Sequence, residues 1–323
     1  MAKTVLVKAP GGPEAMAFEE VALGAPGPGQ AHIRHRAVGV NFIDVYHRTG
    51  LYPLPTPFTP GSEGAGDVIA VGPGVTHVKA GDRVAYGTSR GSYCDERLIE
   101  AGALVKLPDA ISYDTGAAMM LKGLTVQYLL RQTFPVKKGD TILCHAAAGG
   151  VGLILCQWAK ALGCTVIGTV GSQHKAKLAK EAGADHVILY RDEDFAARVK
   201  EITGGKLCDV VYDGVGKDTF PASLDCIRPL GMFVSFGNAS GPVAAFNLGL
   251  LAQKGSLFAT RPTLFTYAST PDKLAAMAAD LMAVVASGQV KIPVHARYAL
   301  ADVAQAHRDL EARKTTGASV LVP

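Results

Sequence analysis

Up to about residue 124, the chain shows the hydrophobic pattern of short β-strands. Apolar and polar positions alternate through residues 4–8 and again through residues 31–40, the period of a strand with one buried face. Further strands are predicted at residues 68–71 and 83–86, and the glycines and prolines between these segments mark turns. The pattern predicts a mainly β domain with few helices.

From about residue 125 onward the pattern changes to alternating strands and helices. The predicted strands are residues 141–145, 165–170, 186–190, 210–213, 232–236 and 256–260. The predicted helices are residues 123–130, 151–162, 173–182 and 193–202, followed near the end by helices at 271–287 and 301–313 and a strand at 319–322. Strands that alternate with helices favour a doubly wound parallel sheet covered on both faces.

A run of very small residues, 146–150, separates the strand at 141–145 from the helix after it. In the G-x-G-x-x-G pattern the register is Ala147, Gly149 and Gly152, with alanine in place of the first glycine. Such small side chains allow backbone N–H groups to approach a pyrophosphate at the positive end of a helix. Close helix packing alone also selects small residues, but the flanking strand and helix favour dinucleotide binding.

The end of the second strand in this region indicates which dinucleotide is preferred. Sites that prefer NAD place Asp or Glu about twenty residues beyond the glycines. The sequence here is Val-Gly-Ser-Gln-His-Lys over residues 170–175, with no acid. Ser172 and Lys175 are suited to a 2′-phosphate, which predicts NADPH. The alternative is a solvated helix start in which Ser172 is only the N-cap.

Composition limits the class of protein. The 323 residues are 48% hydrophobic and 19% charged, which fits a globular protein of two domains. A net charge of +4 without a basic run argues against specific nucleic-acid binding. Six scattered cysteines without a C-x-x-C pair indicate reduced thiols, and neither a signal peptide nor a long apolar run is found. We expect a cytoplasmic protein that does not enter a membrane.

The turn belongs to a longer sequence signature, which consists of Gly139-Asp140, Leu143, the segment 147–150, Gly152, Gln157 and Lys160. With these residues the whole chain resembles the quinone oxidoreductase/zeta-crystallin family, a zinc-free branch of the medium-chain dehydrogenases/reductases. The resemblance implies an α/β protein with a discontinuous GroES-like partial β-barrel domain, residues 1–124 and 265–323. It implies a doubly wound Rossmann domain at residues 125–264 and reduction of a small quinone by NADPH.

The resemblance also implies the residues of the site. Those expected to contact NADPH are Asn41, Asp44, Tyr46, Thr125, Tyr128, Gly149, Gly150, Val151, Gly171, Ser172, Lys175, Tyr190, Phe236, Phe258, Thr260 and Arg313. Tyr46 and Tyr52 are the candidates for donating a hydrogen bond to the quinone oxygen. Other interpretations remain open: Asn41 and Asp44 as helix caps, the tyrosines as packing residues and Arg313 as an exposed helix-end cation.

The zinc ligands of the metal-dependent relatives are replaced. Asn41 stands where those relatives have Cys, Ser62 stands where His precedes the glutamate matching Glu63, and residues 119–121 offer no ligand. Glu63 is therefore predicted to be structural, accepting backbone hydrogen bonds in a glycine-rich turn. Reduction of a quinone gives a delocalised anion, so positioning of the quinone can suffice without a metal. Gly214 departs from the family, where serine is more usual; if that hydroxyl normally touches the cofactor, one contact is lost here.

Assembly and two competing functions complete the predictions. Residues 255–260 form the last predicted parallel strand and carry no charge or proline, so this sheet edge lacks protection. We therefore expect a homodimer that pairs this strand across a two-fold axis, as the family resemblance also implies. The competing functions are an NADPH-dependent enone or alkenal reductase on the same scaffold and an RNA-binding or structural zeta-crystallin-like protein.

Overall fold

The structure, a computed structural model, describes all residues from 1 to 323. Its contacts divide the chain into two units. The β-rich unit comprises Met1–Leu124, Ala268–Ala286 and Ile292–Pro323, and the parallel-sheet unit comprises Thr125–Tyr267 and Ser287–Lys291. The short return to the parallel-sheet unit has a visible cause, because the Gln157 side chain donates to the Lys291 carbonyl and accepts from its N–H.

The chain contains fifteen strands and nine α-helices. The strands are β1 (Ala2–Val7), β2 (Met16–Val21), β3 (Gln30–Val40), β4 (Gly64–Val71), β5 (Arg83–Tyr86), β6 (Glu96–Glu100), β7 (Val105–Lys106), β8 (Thr141–Cys144), β9 (Thr165–Val170), β10 (His186–Leu189), β11 (Cys208–Asp213), β12 (Ile227–Ser235), β13 (Phe258–Thr260), β14 (Val294–Ala299) and β15 (Ala318–Val322). The α-helices are α1 (Phe42–Thr49), α2 (Tyr113–Tyr128), α3 (Gly150–Ala161), α4 (Gln173–Glu181), α5 (Phe195–Ile202), α6 (Gly249–Gln253), α7 (Leu264–Tyr267), α8 (Pro271–Ala286) and α9 (Val303–Glu311). None of these helices combines the length and apolarity needed to cross a bilayer.

The β-rich unit is built around the long strand β3. The main sheet has the order β14-β15-β3-β4-β5-β7, β6 also pairs with β3, and β1 and β2 form a separate hairpin. Alternate residues of β3 point into the interior over residues 31–37: Ile33 and His35 are buried, while Arg34 between them is exposed. This part of the strand therefore has one buried face, as the sequence predicts, whereas residues 38–40 are all buried and do not alternate.

The parallel-sheet unit contains six parallel strands in the order β10-β9-β8-β11-β12-β13. The order reverses between β8 and β11, the position at which doubly wound sheets bind ligands beyond the carboxyl ends of the strands. Leu143, Ile167, Val211 and Phe233 form part of a core cluster with helix residues. The predicted α/β fold class, with a doubly wound sheet, is confirmed.

Two elements have other bounds than the sequence predicts, and several were not predicted at all: strands β2, β6, β7 and β14 and helices α1, α6 and α7. The helix expected at residues 123–130 begins ten residues earlier, at Tyr113, so Thr125 and Tyr128 lie near the end of α2. Its interior residues are buried on nearly every face, so the sequence shows no amphipathic period that would mark the start of the helix. Strand β13 begins two residues later than predicted, because Gly255 and Ser256 both adopt positive φ angles and turn the chain.

Candidate functional site

The small-residue turn after β8 forms a cradle at the N-terminus of α3. Ala146 adopts a left-handed φ of 54°, and Gly149 is the N-cap of the helix without any side-chain cap. Gly150 and Val151 are therefore the first two helical residues, with backbone N–H groups that no capping side chain occupies. The three predicted pyrophosphate contacts lie together at a helix N-terminus, where an anion is favoured.

Steric closeness fixes the shape of this cradle. A Cβ atom at Gly152 would lie 2.4 Å from the Ala146 carbonyl oxygen, and one at Gly168 in β9 would lie 2.6 Å from the Ala147 Cβ. Position 152, where α3 lies against the turn, therefore requires glycine. Positions 147 and 168, where the turn and β9 are in contact, require small residues. The sequence left dinucleotide binding and close helix packing as alternative reasons for the small residues. In the structure the same small residues permit the close packing and shape the cradle.

The ends of β9 and β10 bring together the residues predicted to recognise the 2′-phosphate. A Cβ at Gly171 would lie 2.7 Å from the Tyr190 hydroxyl and 3.4 Å from Arg191 Nε. Ser172 is the N-cap of α4 and accepts from the Lys175 N–H at 3.4 Å. The capping alternative is thus present in the structure, with Ser172 directly after Gly171 beyond the end of β9 and Lys175 in the first turn of α4. Arg191 is a cation that the sequence analysis missed.

At the carboxyl end of β11, the carboxylate of Asp213 organises the backbone. It accepts hydrogen bonds from the N–H groups of Val215 and Gly216 at 2.8 and 3.0 Å and from the Thr219 hydroxyl at 2.7 Å. The Phe236 N–H in turn donates to the Asp213 carbonyl.

The Gly214 departure has a steric reason in the same place. A Cβ at Gly214 would lie 2.9 Å from Phe236 Cζ. A serine here would therefore require the phenylalanine ring to move. On β13, the adjacent edge strand, Phe258 is 57% exposed and Thr260 is half-buried.

Tyr128, near the end of α2, forms an aromatic pair with Tyr267, a residue that the sequence did not indicate. The Tyr128 ring stacks on Tyr267 with centroids 4.5 Å apart and planes at 8°, and the Tyr267 hydroxyl accepts from the Thr133 hydroxyl at 2.8 Å. Burial raises the pKa of Tyr128, which a hydrogen bond with Thr125 partly offsets. Tyr128 is thus held in one orientation as a neutral phenol.

In the β-rich unit, Asn41 and Asp44 cap helix α1. The Asn41 N–H donates to Asp44 Oδ2 at 2.9 Å, and the pair forms a reciprocal capping box. Asp44 is fully buried, and its other oxygen accepts from the Ser62 hydroxyl at 3.0 Å. The structure therefore gives Asp44 the capping role, behind the protein surface. A direct contact of Asp44 with a cofactor stays a prediction.

Asn41 also contacts a second buried carboxylate, that of Glu63. The Asn41 side-chain amide donates to Glu63 Oε1 at 2.8 Å, and the Leu121 N–H donates to Oε2 at 2.7 Å. The ammonium of Lys122 lies 2.5 Å from Oε1. Glu63 thus accepts one backbone hydrogen bond, and its partners are the N-cap of α1 and two residues of α2, not the backbone of its own glycine-rich turn as expected. Lys122 was missed, because a lysine in a sequence reads as solvated.

Tyr46 and Tyr52 lie against each other. Their ring centroids are 5.1 Å apart with the planes at 64°, and the Tyr52 N–H donates to the Tyr46 carbonyl. Tyr46 is buried and Tyr52 is half-buried, with the His47 ring 6.2 Å from Tyr52. Burial lowers the pKa of His47 to about 4, so this histidine is neutral at physiological pH.

A directed chain of hydrogen bonds ends at Asp44. Arg48 lies 3.2 Å from His307 Nδ1 and can only donate, so Nδ1 accepts and the His307 proton is on Nε2. His307 Nε2 lies 2.9 Å from the Tyr93 hydroxyl, which donates to Asp44 Oδ2 at 3.0 Å. Burial, with Arg48 alongside, lowers the pKa of His307 to about 3.

Arg313 lies in the β-rich unit, two residues beyond the end of α9. It adopts a left-handed φ of 57°, and its N–H donates to the Leu310 carbonyl as part of the helix end. Its predicted contact with a cofactor phosphate stays a prediction.

Comparisons with known proteins place this geometry in a family. The GroES-like domain model of the alcohol dehydrogenases matches residues 27–133, and the zinc-binding dehydrogenase model matches residues 150–278. Over its full length the chain is 55% identical to a quinone oxidoreductase of Pseudomonas aeruginosa, which it also covers completely. It is 51% identical to quinone oxidoreductase 1 of Escherichia coli, with 97% of each chain covered. The chain belongs to the quinone oxidoreductase family.

Solved structures of the same family agree with this fold. A crystal structure of Escherichia coli quinone oxidoreductase complexed with NADPH matches with a TM-score of 0.97 and 49% identity, covering 99% of this chain and all of the other. A 2-haloacrylate reductase of a Burkholderia species is 45% identical over the full chain and 99% of the relative. The family resemblance and the GroES-like assignment predicted from the sequence are confirmed.

Although one of the matching models describes zinc-binding dehydrogenases, the residues of this family member do not fit that metal. No group of three or more His, Cys, Asp or Glu side chains is arranged to hold a metal ion. Around Glu63 the neighbouring groups are an amide, an ammonium and a backbone N–H, all of which donate hydrogen bonds. A metal ion needs electron-pair donors, so this donor set is unsuited to one.

The buried carboxyl of Asp44 predicts a pH dependence of stability. Burial raises its pKa from 3.8 to about 7, although hydrogen bonds from Ser62, Tyr93 and the Asn41 backbone oppose this. Between these values the folded protein holds a proton that the unfolded chain releases. Its stabilising contribution is therefore complete below the unfolded pKa and is lost as pH rises through about 7. Relative to the wild type, Asp44→Asn should gain up to roughly 4 kcal/mol between about pH 4 and pH 8.

Urea unfolding of both proteins across this pH range measures the difference. Asp302→Asn, at an exposed position, controls for loss of a carboxyl group. A difference between wild type and Asp44→Asn that stays constant with pH would contradict the expected titration.

Proposed function

We propose that this chain is an NADPH-dependent quinone reductase that needs no metal ion. The observation that carries the proposal is 55% identity over the complete chain to a curated quinone oxidoreductase. The acid-free end of β9, beside an uncapped helix N-terminus, supports NADPH as the cofactor. In this proposal NADPH supplies the reducing equivalents.

The residues of the parallel-sheet unit suit each part of the cofactor. The N–H groups of Gly150 and Val151 would bind the pyrophosphate at the start of α3. Ser172, Lys175 and Tyr190, with Arg191 beside them, would bind the 2′-phosphate by charge-assisted hydrogen bonds. Phe236, Phe258 and Thr260 lie on or beyond β12 and β13, the strands that follow the sheet's reversal point.

A quinone suits the chemistry of the β-rich unit. Reduction of a simple ketone creates a localised alkoxide that needs a metal or a strong donor. A reduced quinone spreads its charge over an aromatic ring, and positioning provides most of the catalysis. Asn41, Tyr46 and Tyr52 are the proposed substrate-facing residues, with Tyr46 and Tyr52 as hydrogen-bond donors to the quinone oxygen.

An activated-alkene reductase is the second candidate, because one relative at 45% identity is a 2-haloacrylate reductase. NADPH oxidation measured with 1,4-benzoquinone, an alkenal and 2-chloroacrylate separates the two. We expect the highest kcat/KM with the quinone. Turnover of the alkenes alone would replace the proposed function by the second candidate, and no NADPH oxidation with any acceptor would contradict both.

The proposal also places the enzyme in the cytoplasm. All six cysteines are buried and unpaired, which fits a reducing compartment. The expected localisation therefore rests on thiol chemistry.

We further propose that two copies pair through β13. This strand is the edge of the parallel sheet, and Phe258 on it is 57% exposed. Leu248 and Phe265, on segments flanking the strand in sequence, are 72% and 40% exposed. Native proteins usually cover or protect an apolar sheet edge of this kind. When two copies pair through the same strand about a two-fold axis, each subunit covers the edge of the other.

The choice of cofactor is tested by removing a single cation. Lys175→Ala should weaken NADPH binding by at least about tenfold and NADH binding by less than about twofold, because only NADPH carries the 2′-phosphate. Lys177→Ala is the matched control, since that lysine lies on the same helix with its side chain 77% exposed. Fluorescence titration gives the dissociation constants of both cofactors. An equal loss of affinity for NADPH and NADH would show that Lys175 does not bind the 2′-phosphate.

The role of the two tyrosines is tested by removing each hydroxyl. A neutral hydrogen bond contributes about 0.5–1.5 kcal/mol, whereas a general acid contributes about 10²–10⁴-fold. Tyr46→Phe and Tyr52→Phe should therefore each lose less than about twentyfold in kcat/KM for a small quinone, with NADPH affinity unchanged. A loss above about a hundredfold in a folded variant would instead identify a dedicated proton donor.

The dimer is tested with one charge on the sheet edge. Phe258→Asp should shift the wild-type dimer to a monomer in sedimentation velocity at micromolar concentration, because a carboxylate cannot be buried unpaired. Phe18→Asp, at another exposed phenylalanine in the β-rich unit, should leave the dimer intact. A monomeric wild type would refute the assembly.

A further inference from the structure

Lys122 carries a positive charge inside the β-rich unit. The function proposed above gives this charge no role. Its side chain is only 8% exposed, and its ammonium lies 2.5 Å from Oε1 of Glu63, which is fully buried. Burying two charges costs several kcal/mol per ion before their attraction is counted, and hydrophobic residues in their place are often at least as stable. The pair is therefore weakly explained by stability alone.

The Glu63 carboxylate accepts hydrogen bonds from several groups, whereas the Lys122 ammonium has a single hydrogen-bond partner. Glu63 accepts from the Asn41 amide at 2.8 Å and from the Leu121 N–H at 2.7 Å as well as from Lys122. A lysine ammonium has three N–H donors, and Glu63 is the one protein partner that the structure gives it. Donor capacity remains on a cation that is more than nine-tenths buried.

The position of the ammonium is fixed by backbone as well as by charge. A Cβ at Gly39 would lie 2.3 Å from Glu63 Oε1, so glycine in β3 leaves the space that the carboxylate fills. The Leu121 N–H anchors the other oxygen. Glu63 is thus held rigidly, and it places Lys122 beside Asn41 through a shared oxygen atom.

We propose that Lys122 is a further catalytic residue, whose ammonium donates a hydrogen bond to the quinone oxygen on which negative charge develops. The inference rests on the proposed function and on Asn41 as a substrate-facing residue. In the overall reaction, quinone, NADPH and one proton give hydroquinone and NADP⁺. Two electrons and a proton pass from NADPH to the quinone, giving a hydroquinone monoanion. Water supplies the second proton, and Lys122 keeps its own proton throughout.

A double variant separates this role from simple charge pairing. Lys122→Met alone leaves Glu63 buried without its counterion, so loss of activity in that variant has two explanations. Glu63→Gln/Lys122→Met removes both charges and keeps a carbonyl oxygen to accept from Asn41 or Leu121. A charge-assisted hydrogen bond predicts that the double variant remains about 10- to 100-fold below wild type in kcat/KM for 1,4-benzoquinone, with unchanged NADPH affinity. Lys106→Met, which removes a surface lysine paired with Asp82, should match the wild type.

A second measurement needs no turnover. The probe is 4-nitrophenol, a phenol whose absorbance reports whether it is ionised. A nearby ammonium favours the anion, so wild-type protein should lower the pKa of bound 4-nitrophenol relative to the free compound. The double variant should not lower it, and Lys122→Arg, which keeps a cation, should restore part of the effect.

Two results would overturn the inference. One is a folded double variant with wild-type kcat/KM, which would make Lys122 only the counterion of Glu63. The other is bound 4-nitrophenol that ionises in wild type as it does in water, and this result decides the matter if the double variant does not fold. Absence of any NADPH–quinone activity in the wild type would instead contradict the proposed function, while the 4-nitrophenol titration would still report whether the ammonium faces a bound phenol.

Discussion

The close approach of backbone segments around Ala146 and Gly152 is the constraint on which the parallel-sheet unit depends. With 2.4 Å between a hypothetical Cβ at Gly152 and the Ala146 oxygen, any larger residue would push α3 away from the turn. The same displacement would move the N–H groups of Gly150 and Val151, which are the first in the helix. Packing and anion binding therefore impose one requirement, and the sequence satisfies both with the same small residues.

The β-rich unit depends on a different device, two buried carboxylates that share Asn41. Asp44 accepts from the Asn41 backbone N–H, and Glu63 accepts from the Asn41 side chain. Asp44 also connects to Tyr93 and through it to His307, far along the chain. A carboxylate in a low-dielectric interior is costly unless each lone pair has a donor, so these contacts fix the start of α1 and the segment before β4 relative to α2.

The sequence predicted the parts of the structure that local patterns encode. Strands buried on both faces read as apolar runs, so β8, β9 and β11 were found within two residues of each end. Helix α2 was placed ten residues too late because its residues are apolar on all sides and give no helical period. The family assignment was correct because a long signature surrounds the cradle. Individual cofactor contacts, such as those of Arg313 and Phe258, were carried over from the family and remain predictions.

What the sequence could not supply were polar partnerships between distant residues. Tyr93 and His307 are 214 positions apart, and no local rule pairs them. The burial of Lys122 could not be predicted either, because it depends on Glu63, which lies 59 positions away in the sequence. This pairing also gives a physical meaning to the replaced zinc ligands. Where a metal would need electron-pair donors around Glu63, this chain supplies hydrogen-bond donors, and the positive charge beside the carboxylate belongs to a lysine. In the proposed role, a single ammonium donor suits acceptors whose reduced form already stabilises its own charge, which agrees with a quinone as the substrate.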